Sequence, residues 1–272
     1  MEPRKCVFAL DYIDETVNAF YEASRNPYHS EREIKWASDV LCEYFDVIER
    51  EHLSLKTVLL LEQVKCRVNK IARHNADAHI PYTFSKRKLA NISYEQLKML
   101  FEQRRSVRWF ENKPVPKSVI EKAVDLATLA PSACNRQPYH FLVIDDGQLL
   151  DELMALPIGT KGFAHNVPCS IVVTADLSYF PTEKDRHLIY IDSALATMQL
   201  MLAFETLGLS SCPINWPDIE EREEKISSLL DLDTTVRPIL LLAVGYGSET
   251  GKIPYSQKKG ASQLVSYINN ES

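Results

Sequence analysis

Three short apolar runs, YHFLVI at 139–144, SIVVT at 170–174 and ILLLAV at 239–244, constrain this chain more than any other feature. Each is too short for a helix and bounded by breaks in the pattern, so each predicts a strand inside a sheet with both faces covered. Helix-type patterns alternate with them, and the 272 residues include only 8 glycines. The combination predicts an α+β fold, a sheet covered by helices.

That alternation begins only at residue 93. Upstream, apolar side chains recur at helical spacing. Ile13, Val17, Phe20 and Tyr21 mark one amphipathic helix. A second starts at Ser30, where SERE reads as a capping box, and carries Ile34, Val40, Leu41, Tyr44, Phe45 and Ile48 inward. A third follows Ser54, with Val58, Leu61, Val64, Val68 and Ile71 stacked. Residues 74–91 hold no period, contain Pro81 and end in a basic cluster, Lys86 to Lys88, that reads as a solvated linker. The expected organisation is a helical N-terminal extension with its linker at 1–92 and a second domain at 93–272. The extension shows no chemistry; it reads as structural or as a cover over the site. SYEQ at 93–96 is another capping box, opening a helix that turns Leu97, Leu100 and Phe101 toward a core.

Composition narrows the function classes. The formal charge of −6 argues against a general nucleic-acid binder. No uninterrupted apolar run has the length of a membrane span, and the start, MEPRKCVFAL, lacks a signal peptide's long apolar segment, which predicts a cytoplasmic protein. The six cysteines form no CxxC pair and have no histidine at metal spacing, so reduced thiols and no metal are expected. Cys134 and Cys212 stand out only by their neighbours.

Two stretches carry chemistry. RRSVRWF at 104–110 packs three cations and a hydroxyl where the helix at 93–103 runs out. In an extended chain Arg104, Ser106 and Arg108 point to one side, Val107 and Trp109 to the other. Guanidinium forks beside a hydroxyl suit phosphate oxygens; the plain alternative is a solvated basic helix end. The second stretch, PSACNRQP at 131–138, follows a helical run at 119–129 and leads into the first strand. By itself it reads equally as an Asx-type turn.

Together, in this order, these stretches resemble the FMN-dependent nitroreductase family. The strand SIVVTAD, the helix at 192–207 ending in Gly208, the CPINW turn at 212–216 and the closing segment GYGSETGKIPYSQKKG continue the match. The resemblance covers about 93–272. It implies a mixed sheet covered by helices and a homodimer with flavin sites at the interface. It implies that Arg104, Ser106 and Arg108, with Lys258 and Lys259 from the closing segment, hold the FMN phosphate. It implies that Pro131, Ser132, Ala133 and Asn135 lie along the isoalloxazine, and that Pro213 and Ile214 pack on its face while the Asn215 backbone N–H meets N5. An arginine common in the closing segment is absent, Gly260 standing near its place. Trp216 replaces the small residue frequent in the family and is expected to narrow the pocket or stack on a substrate. Tyr179, Phe180 and Arg186, in the segment 176–192, are candidates for a substrate lid.

No side chain stands out as acid or base, which suits hydride transfer through a flavin. The expected activity is an FMN-dependent oxidoreductase passing hydride from NADH or NADPH to a small conjugated or nitroaromatic-like acceptor. The alternatives are a flavin-binding regulatory or scaffold protein without NAD(P)H turnover, and a cofactor-free interaction domain.

Overall fold

A computed structural model describes residues 5–72 and 78–268, and contacts divide the chain into two compact units, Met1–Ala90 and Asn91–Ser272. The expectations placed on the side chains of Leu61, Cys66, Val68 and Ile71, and on His74, lie outside the described residues.

The first unit is built from α1 (Ile13–Ala23), α2 (Glu31–Val47) and α3 (Leu55–Ala72). Ile13, Val17 and Phe20 meet Leu41, Tyr44 and Phe45 of the second helix, Ile48 just past its end and Val64 of the third. The spacing of these side chains puts each set on one helical stripe, and burying that stripe is what holds a short helix together. Two sequence expectations fail. Val40 is exposed rather than inward, and Ser30 occupies the N-cap of α2 without a side-chain bond to the helix. Glu31 and Glu33 face the positive end of the helix dipole instead. Ser54 caps α3, its Oγ accepting from the Thr57 N–H at 3.0 Å.

A charged pair is taken into this bundle. Lys35 and Asp39, both about 5% exposed, pair one helical turn apart, and Asp39 also accepts the His79 backbone N–H at 2.7 Å. Burial works to raise the Asp39 pKa, but the His79 amide and Lys35 outweigh it and hold the carboxyl below its ordinary value.

The second unit starts with α4 (Tyr94–Gln103). Its capping box forms as read: the Gln96 N–H donates to Ser93 Oγ at 3.2 Å and the Ser93 N–H to Gln96 Oε1 at 2.9 Å. No α4 residue is buried, however, and Leu97 and Phe101 stay largely exposed instead of entering a core. Next come α5 (Lys117–Ala127), β1 (Tyr139–Ile144), α6 (Gly147–Met154), β2 (Cys169–Asp176) and α7 (Leu188–Thr206). The unit closes with β3 (Ser210–Asn215), α8 (Glu220–Leu230), β4 (Val236–Gly245) and one helical turn at Ala261–Leu264.

The strands pair antiparallel in the order β1-β2-β4-β3, and an isolated parallel bridge joins Ser106 to Ser211. Side-chain parity divides the core. Ile171, Leu242 and Val244 face α5 and α7, where Ile120, Leu200 and Phe204 meet them. Val172, Leu241 and Ala243 face the opposite way, onto Leu150, Leu153 and Ile226 of α6 and α8. The strands β2 and β4 are therefore covered on both faces, whereas β1 is an edge strand and half-exposed, against expectation.

Helix α7 begins four residues earlier than its sequence pattern suggests and ends in a Schellman motif. Gly208 is left-handed at φ 77°, and the Leu209 N–H donates to the Phe204 carbonyl at 2.9 Å. An 18-residue window within Glu183–Thr206 has a mean hydropathy of 1.3, long and apolar enough to cross a membrane, and half of that window is buried inside the protein. The buried half packs on β2 and α5.

Candidate active site

The basic stretch leaves α4 and runs alongside the end of the sheet. The Val107 N–H donates to the Ser211 carbonyl at 3.1 Å, and the Glu111 N–H to that of Tyr246 at 2.8 Å. Val107 and Phe110 are buried in the core. Trp109 does not join Val107; it is 43% exposed and lies against Gly251, where a Cβ would sit 2.7 Å from Trp109 Cβ. Only glycine admits this approach.

Asn166, which sequence reading passed over, holds the stretch in place. Its Oδ1 accepts the Phe110 N–H at 2.8 Å, and its Nδ2 donates to the Arg108 carbonyl at 2.9 Å and the Phe163 carbonyl at 2.6 Å. A side-chain amide inside a 3₁₀ turn gives no signal in the sequence.

Arg104, Ser106 and Arg108 are each half-buried along this stretch. All three act on the Cys212 thiol: burial raises its pKa, while Arg108, a Ser106 hydrogen bond and Arg104 pull the other way without prevailing. Cys212 is 1% exposed, so it is a protonated core thiol and not a redox-sensitive one. Burial, with the Asp145 charge adding to it, pushes the Cys169 thiol up to about 12. Arg104 and Arg105 also face Glu205, whose pKa burial raises against a Gln103 hydrogen bond and these two cations.

Arg104 and Arg105 line a cleft of about 410 Å³ with Tyr94, Phe101, Tyr255 and Lys258. The structure thus brings Lys258 to Arg104 from 154 positions away in the chain; Lys259 is exposed and does not line the cleft. Arg105 is partly committed to capping α4, donating to the Phe101 and Arg104 carbonyls at 3.3 and 2.8 Å.

The loop 131–137 is strained. Cys134, Asn135 and Gln137 are left-handed, at φ 53°, 54° and 48°. Asparagine tolerates that region, but a residue such as Cys or Gln loses about 1 kcal/mol there. Three contacts hold the conformation. The Ala133 N–H donates to Asp192 Oδ2 at 3.0 Å, the Gln137 N–H donates to Ser132 Oγ at 3.1 Å, and Arg136 donates to the Tyr179 carbonyl. Ser132 therefore spends its hydroxyl inside the loop, and Ala133 packs beside Phe180 and Ile189. Pro131 and Asn135 are exposed.

The supposed turn at 212–216 is instead strand β3 and its exit. Cys212 pairs with Ala243 and Asn215 with Leu240. Pro213 is tolerated because β3 lies at the sheet edge. Period-two alternation then corrects two readings. Ile214 is buried in the core on the face opposite Pro213 and Asn215, so its side chain does not share their surface. Trp216 is 8% exposed in the same core, its indole N–H donating to Glu223 Oε1 at 2.5 Å, and is not available to stack on a substrate.

In the segment 176–192, 3₁₀ turns at Leu177–Tyr179 and Glu183–Asp185 precede α7. Tyr179 is half-exposed and borders a second cleft, of about 310 Å³, with His140, Thr174 and Leu230. Phe180 is not an open wall: it is 9% exposed, packed on Ala175 and Ile189, with the Arg136 guanidinium 5.5 Å from its ring centre. Arg186 is exposed and lies 3.5 Å from Glu183.

A helix-covered sheet, with a basic cleft between α4 and residues 255–258 and a strained loop leading into β1, defines an α+β fold with a candidate small-molecule site. The nitroreductase family model matches residues 101–159 and 155–246, more than half of the chain. The chain belongs to the nitroreductase family and is a nitroreductase-like oxidoreductase. It is 33% identical over 155 residues to an Archaeoglobus fulgidus protein named for NADH dehydrogenase/NAD(P)H nitroreductase activity, covering 56% of this chain and 85% of that one. An iodotyrosine deiodinase of Haliscomenobacter hydrossis is 28% identical over 226 residues, 69% of this chain and 96% of its own. Among solved structures, an FMN-dependent nitroreductase from Clostridium difficile R20291 is similar at a TM-score of 0.53 and 25% identity, across 62% of this chain and 98% of that one.

Proposed function

We propose that this chain is an FMN-dependent oxidoreductase that takes hydride from NADH or NADPH and delivers it to a small conjugated or nitroaromatic-like acceptor. The observation that carries the reading is the cleft that Arg104 and Arg105 share with Lys258, with Ser106 and Arg108 following on the same half-buried stretch. These groups suit a phosphate monoester, which takes charge-assisted and bidentate hydrogen bonds. Tyr94, Phe101 and Tyr255 add apolar walls. FMN, when bound, supplies reversible hydride storage. Asn135, exposed on the strained loop, and the Asn215 backbone are the groups proposed to orient the ring, with Pro131 and Pro213 beside them. Lys259, Ser132 and Ile214 drop to supporting roles, because the first does not line the cleft, the Ser132 hydroxyl is taken by the Gln137 N–H and Ile214 is buried.

The reading includes a homodimer in the cytoplasm. Leu97 and Phe101 of α4 and Tyr190, Ile191, Leu195 and Met198 of α7 are exposed apolar side chains, and burial of such surface favours association.

A second reading is favoured by the deiodinase relative, which matches over 96% of its length: reductive removal of halogen from an aromatic acceptor at the same site. Both are tested by one experiment. The purified protein is incubated with FMN, desalted and treated anaerobically with NADH or NADPH, then offered a nitroaromatic and a halogenated tyrosine. Flavin bands that bleach with nucleotide and return with the nitroaromatic are expected; return only with the halogenated tyrosine favours the second reading. Flavin that stays oxidised would favour a regulatory flavoprotein, and a colourless protein would overturn the FMN assignment.

A further inference from the structure

We propose that Asp192 is a positioning residue that sets the conformation of the loop 131–137 through the Ala133 amide. The inference rests on the reading of that loop as a flavin contact.

The argument starts from an anomaly in α7. Its buried side is almost wholly apolar or small, yet Asp192 sits there at 3% exposure. A carboxylate removed from water destabilises the fold unless hydrogen bonds compensate it. The bond present is the one from the Ala133 N–H, at 3.0 Å and across 59 positions of sequence. No lysine or arginine lies within ion-pair distance of Asp192 among the described residues. The nearby Tyr139 hydroxyl is buried without a partner there, and burial and the Asp192 charge both push its pKa up, so the phenol stays neutral beside the carboxylate.

What the bond accomplishes follows from the backbone. Ala133 is the first residue of the 3₁₀ turn, immediately before Cys134 and Asn135, both left-handed, with Gln137 left-handed two further on. Such a run relaxes unless something outside it holds one end. Ser132 Oγ acts within the loop, on the Gln137 N–H. Asp192 acts from the rigid helix that packs on the sheet. Fixing the Ala133 N–H to α7 therefore fixes where the exposed Asn135 points, and Asn135 is the side chain proposed to meet the flavin edge. The position demands an acceptor at residue 192 more than it demands a charge.

The test uses the full-length chain carrying Asp192→Asn, Asp192→Ala, Ala133→Pro or Asp192→Ala with Ala133→Pro. Asparagine keeps an acceptor oxygen for the Ala133 N–H; alanine removes it; proline at 133 removes the donor and suits the extended Ser132 before it. Without added flavin, hydrogen exchange of the 133–137 amides is expected to match wild type in Asp192→Asn and to quicken at least tenfold in Asp192→Ala. FMN affinity, read by flavin fluorescence, is expected to fall about tenfold in Asp192→Ala and in Ala133→Pro, to stay within about threefold in Asp192→Asn, and to fall no further in the double variant. Additive losses, equal losses in Asp192→Asn and Asp192→Ala, or unchanged exchange in Asp192→Ala would each overturn the proposal. If Asp192→Ala does not fold, Asp192→Asn and Ala133→Pro still decide it. Wild-type protein that binds no FMN yet shows the expected exchange pattern would sink the flavin reading and confine Asp192 to anchoring the loop.

Discussion

Among the described residues, each unit buries one aspartate deeply, and the two do different things. Asp39, on α2, is matched by Lys35 one turn away and by the His79 amide. Asp192, on α7, is matched by a backbone amide of a distant loop. The first pairing keeps a charge inside a helical bundle by neutralising it locally. The second connects the rigid core of the sheet unit to its most strained segment. A buried charge paired within its own helix stabilises the element that carries it; one paired across the chain controls geometry elsewhere.

The largest expected effect tests whether the sheet unit depends on the core that supports Asp192. Phe204 is fully buried between α7 and the sheet. Phe204→Ala should destabilise the second unit by about 3–5 kcal/mol, through lost burial and the cavity left behind. Urea unfolding followed by the fluorescence of the core residue Trp216 measures it, and a loss below about 1 kcal/mol would contradict the core described.

A smaller effect is expected in the other unit. Asp39→Ala leaves the Lys35 ammonium buried and unpaired, which should destabilise the helical bundle by about 3 kcal/mol. FMN affinity should stay within twofold of wild type, because no proposed flavin contact lies in that unit. The pH dependence has a definite sign. The folded Asp39 pKa lies below its ordinary 3.8, so its contribution is present above pH 3.8 and lost as pH falls from there through the folded value. Acid titration of the helical circular dichroism should show this loss in wild type and lack it in Asp39→Asn. An identical acid transition in both would remove Asp39 from the comparison.

The smallest effect isolates a helix end from either core. Ser93→Ala removes half of the α4 capping box and should lower stability by about 1 kcal/mol. A melting temperature unchanged within error would mean that α4 is held by tertiary contacts alone.

The helices and central strands were legible because their signals are local. The Ile13, Val17, Phe20 stripe and the SYEQ box need only their own neighbours, and the runs at 170–174 and 239–244 are apolar enough to announce buried strands, whereas the run at 139–144 announced a strand but not its place at the half-exposed edge. CPIN at 212–215 misled because proline and asparagine are turn formers, and only pairing with β4 at the sheet edge makes that segment a strand.

What the sequence by itself determined is the periodicity of each segment, the family and the cluster of cations at 104–108 proposed to meet an anionic ligand. Tertiary structure decided which of those residues turn outward. It drew Ile214, Trp216 and Phe180 into the core, left Leu97 and Phe101 exposed, brought Lys258 to Arg104, and gave Asp192 its partner at Ala133. The reason is physical: backbone preference and hydrophobic period act over a few residues, whereas burial and hydrogen bonding are settled by whatever the folded chain brings alongside.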